Sequence, residues 1–270
     1  LRAGDPNVND GAGVDISGLT VQAYFDAQSD STVEITGTVA PWVTNPHSEA
    51  WYGIDRCVSG GAARAMPDDQ LGSKAELVTS AAEALKARGA PYADYAWWKQ
   101  FDGDDDGVVD ALWVIHAGRG QEYGGGSEGD AAIWSRANHV GAYAGYPRNG
   151  WVVHDNGTPD SADDIRIGSF TEVPEDADIG VLIEEFGHSF FGLPDLYTTD
   201  YENSIGFWSI MSGGIWAGWL GGAAPVGMPL WFKMIADCGG QPCNWHQPML
   251  NRSYNAPTAQ VTIGQLEETP

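Results

Sequence analysis

Positive charge is scarce in this sequence: 13 lysines and arginines stand against 37 aspartates and glutamates, a formal net charge of −24 over 270 residues. A chain so acidic repels phosphate backbones and anionic membrane surfaces, which argues against nucleic-acid binding and membrane insertion. The same surface suits an extracellular setting and calcium binding, and equally plain solubility. Long apolar runs are missing too. No stretch approaches the ~18 residues that span a bilayer, and the most apolar region, 204–231, is broken by glycine, so a soluble molecule is expected. Cysteine is limited to Cys57, Cys238 and Cys243. Their spacing matches no structural zinc site. Cys238 and Cys243 flank a turn-rich segment able to close on a disulfide, which leaves Cys57 odd and the pairing open. There is no G-x-S-x-G elbow, and Gly124-Gly-Gly-Ser127 lacks the lysine of a phosphate loop. The chain starts at Leu1 with no signal-peptide pattern, as a mature or trimmed fragment would.

What is present is enough apolar material, 43% of residues, for one large domain or a domain with a small lobe. Residues 1–17 are rich in Gly, Asp and Asn and read as an irregular lead-in. Val21 to Gln28 has helical character, and the period-two alternation of Thr32 to Val39 predicts a half-buried strand. Apolar residues at helical spacing predict a helix over Leu71 to Ala90, stopped at Gly89. Ala111 to His116 is almost wholly apolar and reads as a central strand. Shorter strands are expected at 131–135, 150–154 and Ile165 to Phe170, and helices at Asp178 to Phe191 and 228–237.

The chemistry concentrates in the helix at 178–191. Zinc hydrolases present H-E-x-x-H on a helix, where ligands at i and i+4 share a face and the intervening glutamate acts as base. Here the frame reads Glu184-Glu185-Phe186-Gly187-His188. Downstream, Gly192 can turn the chain so that Asp195 returns a third ligand, and Phe207-Trp-Ser-Ile-Met211-Ser-Gly-Gly looks like the methionine turn beneath a metzincin zinc. An isolated E-E-x-x-H carries little information on an acidic helix; the ordered set carries much more.

With these residues in view, the chain resembles the immune inhibitor A family of secreted bacterial metallopeptidases. That family's signature runs H-E-F-G-H, then G-L-P-D-x-Y, then W-S-I-M-S. The likeness extends back to Phe101-Asp-Gly-Asp-Asp-Asp-Gly-Val-Val-Asp110, to Trp113-Val-Ile-His-Ala-Gly-Arg-Gly-Gln-Glu122 and to Ile133-Trp-Ser135, covering roughly residues 18 to 237. The resemblance implies an α/β (α+β) metzincin-like fold: a mixed twisted sheet, an active-site helix, and a lower lobe after Gly192 carrying the Met turn. It implies a catalytic domain over 18–250; by the sequence itself, Gln260–Gly264 makes 251–270 read as the start of a further strand or domain. It implies a secreted endopeptidase acting on protein or peptide substrates, with Glu185 as general base, His188 and Asp195 as zinc ligands, and Met211 beneath the site.

Two departures stand out. Glu184 replaces the first histidine, and the interval from His188 to Gly192 is one residue longer than the family's H-x-x-G. A carboxylate is an acceptable zinc ligand, but a Glu/His/Asp set carries two negative charges where His/His/Asp carries one, which weakens the metal's Lewis acidity. Three readings stay open: a slower zinc peptidase, a site for a harder cation, and a non-catalytic binding module of a larger cell-surface protein.

A second cluster, Asp102, Asp104, Asp106 and Asp110, places carboxylates at alternating positions around Gly107 and predicts a structural calcium loop. It lacks the closing glutamate of an EF-hand, since Trp113 holds that position. The remaining residues have plainer readings. His116 ends an apolar strand and reads as a core histidine; His47, His139, His154 and His246 read as surface residues. Tyr197 divides evenly between supporting Asp195 and packing. Trp208, Trp216 and Trp219 flank the Met turn and suit a cleft wall.

Overall fold

A computed structural model describes residues 20–53, 74–197, 205–218 and 221–246. The lead-in 1–17, Cys57, Trp219 and the segment 251–270 lie outside them. Helix α1 (Val21–Ser29) is capped by Thr20, whose hydroxyl accepts from Ala23 N, and it buries Tyr24 and Phe25. Then come α2 (Glu49–Gly53), α3 (Lys74–Lys86) and α4 (Tyr95–Lys99). The long helix expected over Leu71 to Ala90 is α3, with its first residues outside the described set and its end at Lys86, where turns take over.

Five strands follow: β1 (Trp113–His116), β2 (Arg136–His139), β3 (Trp151–His154), β4 (Ile165–Ile167) and β5 (Ser169–Pro174). They form a mixed sheet in the order β1-β5-β2, with β1 parallel and β2 antiparallel to β5, and a separate antiparallel pair β3-β4. Helices α5 (Ile179–Phe191) and α6 (Leu230–Ile235) complete the set. Mixed helix and sheet in one chain is the α+β architecture expected. Among the described residues no helix is long and apolar enough to cross a membrane.

Four expectations change. Thr32 to Val39 forms no strand. Val33 and Ile35 lean on the core, but Val39 is 82% exposed, so the alternation is met by packing one side without a hydrogen-bonded ladder. The apolar run ending at His116 lies at an edge of the described sheet, because both its faces are covered while β5 takes the centre. Residues 131–135 hold the end of a 3-10 turn and an irregular stretch, the strand beginning only at Arg136. Ile165 to Phe170 divides at Gly168 into β4 and β5, which belong to different sheets.

The central strand β5 sorts its side chains by period two. Phe170 and Glu172 face α3, where Phe170 joins Val78, Ala82 and Val153, and Glu172 pairs with Lys74 Nζ at 3.0 Å and Arg136 Nε at 3.3 Å. Thr171 and Val173 face α5, where Val173 meets Val181 and Leu182. The sheet is therefore filled on both faces, and α5 lies across β5 and β2. Beyond α5 a second core gathers Phe25, Phe186, Phe191, Met211, Phe232 and Trp245. At this end a disulfide joins Cys238 to Cys243.

Candidate metal centre

Helix α5 is apolar on most of its surface, since it is packed between the sheet and the Phe25–Trp245 core. Its polar residues fall at its C-terminal half. Glu184 and His188, one turn apart, bring Oε1 and Nε2 to 3.5 Å. Helix α5 runs one residue past the point where an H-x-x-G turn would stop it, to Phe191. Gly192 then takes a left-handed conformation (φ 63°), its N–H returning to Gly187 O. The turn brings Asp195 Oδ1 to 3.0 Å from His188 Nε2, so the longer interval still closes. Ligand atoms of Glu184, His188 and Asp195 all fall within 4.8 Å of one another.

The orientation of His188 is set from behind. Its Nδ1 donates to the carbonyl of Leu193 at 2.5 Å, which leaves Nε2 as the nitrogen facing the two carboxylates. Met211 is fully buried under this turn: its carbonyl accepts from Leu196 N at 2.8 Å, and its sulfur lies 3.2 Å from where a Cβ on Gly187 would sit. A side chain at 187 would require the Met211 sulfur to give by a few tenths of an ångström. Tyr197 donates its hydroxyl to Asp195, and burial together with the charges of Glu184 and Asp195 pushes its pKa up, so it stays a donor.

Electrostatics divide the four acidic and basic groups. Burial lifts Glu184 above the ordinary carboxylate range, although the hydrogen bond and charge of His188 pull the other way. Glu185, 7% exposed, is lifted well above that range, by burial first and by the neighbouring Glu184 charge second. For Asp195 burial is outweighed by the hydrogen bond and charge of His188, which hold it low. Burial would depress His188, but hydrogen bonds to Asp195 and Glu184 win and raise it to about 11.

The second cluster is tied as a loop. Asp102, 4% exposed, accepts from Asp106 N and Gly107 N at 3.0 and 3.1 Å, while Asp106 accepts from Val108 N at 2.7 Å. Asp102, Asp104 and Asp106 stand together with ligand atoms within 4.8 Å; Asp110 does not join that group and instead accepts from Gly103 N at 3.1 Å. Burial and the three neighbouring aspartates raise Asp110 above its usual range. Lys99 Nζ reaches in to Asp102 at 2.7 Å and to Asp105 at 2.5 Å.

His116 lies on the α2 side of the sheet with Nδ1 3.0 Å from Ala117 O, well apart from the α5 face. Phe207 and Trp208, 62% and 73% exposed, project from the segment before Met211, whereas Trp216 packs against Tyr123. Two features carried no sequence signal: the Leu193 carbonyl behind His188, and the pairing of Glu122 with Ser135. Both depend on contacts that only the folded chain brings together.

Residues 8–241 match the model of the immune inhibitor A peptidase M6 catalytic domain. Immune inhibitor A of Bacillus thuringiensis subsp. alesti is 37% identical over 221 residues, covering 77% of this chain and 30% of that protein. The pre-pro-metalloprotease PrtV of Vibrio cholerae serotype O1 is 31% identical over 265 residues, covering 92% of this chain and 27% of its own length. The chain thus spans under a third of these relatives.

Proposed function

The chain belongs to the immune inhibitor A family of M6 peptidases, and from that premise we propose that it is a secreted metal-dependent endopeptidase working through Glu184, Glu185, His188 and Asp195. The observation that carries this reading is the convergence of one imidazole nitrogen and two carboxylates within 4.8 Å, on a helix whose next residue is a buried glutamate.

The donor set fits zinc: one nitrogen and two oxygens from side chains leave a fourth position open, as catalytic sites do. The Leu193 carbonyl fixes the His188 tautomer that such binding needs. Zinc bound there would supply the Lewis acidity that polarises a peptide carbonyl and acidifies a water molecule. The protein does the rest. Asp195 is held by Tyr197, and His188 by Leu193, so the ligands are positioned beforehand. Glu185, buried beside Glu184 on α5, is read as the base that takes a proton from the attacking water and passes it to the leaving amine. Met211 forms the floor. The Asp102, Asp104, Asp106 loop is read as a structural calcium site, with Asp110 as a further ligand candidate, because three carboxylates bring ligand atoms within 4.8 Å of one another. Its exit is bound to β4 through Val109 N to Arg166 O and Arg166 N to Gly107 O, each 2.9 Å.

One observation favours the non-catalytic alternative, a binding module of a larger cell-surface protein. His188 Nε2 lies 3.5 Å from Glu184 Oε1 and 3.0 Å from Asp195 Oδ1, so a protonated imidazole would pair with both carboxylates wherever no metal binds. Metal content by plasma mass spectrometry, with protease assays of the parent, Glu185→Ala and Glu184→His, separates the two. About one zinc per chain with an activity lost in Glu185→Ala supports the peptidase. Zinc and activity only in Glu184→His would establish the binding module.

A further inference from the structure

The segment Gly-Arg-Gly-Gln-Glu at 118–122 belongs to the resemblance, yet it lies apart in the chain from the helix and turn that carry Glu184, His188 and Asp195. Its last two residues and the following Tyr123 reach three different walls. Gln121 is stitched to the following loop, its N–H donating to Ile133 O at 3.0 Å and its side chain to Asp130 O at 2.8 Å. The carboxylate of Glu122 takes both donors of Ser135: the backbone N–H at 3.2 Å on Oε2, and the hydroxyl on Oε1. Tyr123 receives Asp178 N on its hydroxyl at 3.1 Å and sets its ring edge-on to Trp216, 5.6 Å away. Arg119 Nε closes the turn by donating to Tyr123 O at 2.7 Å.

These walls border α5, against which both β2 and the Gly213–Trp216 turn pack. Ser135, 3% exposed, is the residue before β2, and β2 is an edge strand whose outer side pairs with no strand among the described residues. Asp178 is the N-cap of α5, and Trp216 ends the turn that follows the Met segment. One short loop therefore fixes the distance between the free sheet edge and the helix carrying Glu185. Glu122 is also close enough for its charge to act on Glu185. An unpaired strand edge offers alternate N–H and C=O groups to an extended peptide backbone. Such a peptide is useful only if its carbonyl arrives at the metal site within a fraction of an ångström.

We propose that Glu122 is a positioning residue: its carboxylate grips Ser135 and so sets where β2 presents an extended peptide to the metal centre. The proposal rests on the peptidase reading for the identity of the ligand, an unfolded polypeptide segment, and it concerns binding, not bond cleavage.

The test uses the full chain carrying Glu185→Ala, in which bound peptide survives, and a fluorescein-labelled peptide from casein followed by anisotropy. Glu122→Gln and Ser135→Ala are each expected to weaken binding roughly tenfold, in line with loss of hydrogen bonds to a charged group. The double variant should bind no worse than the weaker single variant, since both act through one contact. Binding stoichiometry supplies the structural control. A variant that merely misfolds lowers the binding fraction and leaves the affinity of the remainder unchanged, which would overturn the proposal. Unchanged affinity in both single variants, additive losses, or no peptide binding by the parent would also overturn it. Failure of the protein with Glu185 intact to cleave casein would speak against the peptidase reading alone.

Discussion

Thr171 Oγ1, on the central strand, lies 2.6 Å from Ser189 Oγ, on α5 beside His188. The same hydroxyl reaches Glu185 O at 3.4 Å. One buried threonine thus ties the stretch of α5 from Glu185 to Ser189, which includes His188, to the sheet. Thr171→Val keeps the shape and removes the hydroxyl. It is expected to cost about 1 kcal/mol of stability, more if Ser189 is left without a partner. Urea denaturation followed by tryptophan fluorescence measures it, and Ser189→Ala in the Thr171→Val background should add little.

Restoring the family's histidine tests the ligand set. Glu184→His exchanges a buried carboxylate for a neutral nitrogen on the same helix face and removes one of the two negative charges. Zinc affinity should rise on the order of tenfold or more, measured by competition with a chromophoric chelator. Manganese affinity should move the other way. A fall in zinc affinity would mean that Glu184 is the better ligand in this setting.

Proton and metal compete for His188. In the metal-free protein its pKa is raised to about 11 by Asp195 and Glu184, against the effect of burial. Because the folded value exceeds the unfolded one, the protonated pair stabilises the metal-free fold fully below about pH 6.5 and loses that effect as pH rises through about 11. Metal uptake must displace this proton. Zinc affinity is therefore expected to climb with pH, by roughly tenfold per unit between pH 6 and 9, with proton release on binding. Calorimetry in two buffers of different ionisation enthalpy would detect the released proton, and a pH-independent affinity would contradict the assignment.

The aspartate loop makes a separate prediction. Saturating calcium, at about a hundred times its dissociation constant, should raise the thermal midpoint by roughly 5–10 °C. Asp104→Asn should remove most of that gain. Lys99 competes for Asp102 at 2.7 Å, so Lys99→Gln should tighten calcium binding while lowering the midpoint in chelator. Scanning fluorimetry with and without calcium checks all three.

The convergence of Glu184, His188 and Asp195 was legible because it is local. Helical spacing sets Glu184 against His188, and a glycine turn returns Asp195. The same held for α1, α5 and β3, whose expected places agree with the fold. What escaped the sequence depends on pairing between distant segments. The run ending at His116 has the composition of a central strand, but its place in the sheet depends on where β5 inserts. Residues 32–39 alternate as a strand does and find no partner among the described residues. Glu122 stands in a recognisable motif, but its role appears only once Ser135 is folded against it.

All three ligands of the candidate centre fall between positions 184 and 195, on one helix and its C-terminal turn. The centre is thus a property of a single short segment, not of the meeting of two lobes. Closing so short a loop carries little chain entropy, so ligand assembly need not await the slow pairing of β1 with the distant β5. A bend at Gly192 would part Asp195 from Glu184 and His188, so the rigidity of that one turn decides whether the three can act together.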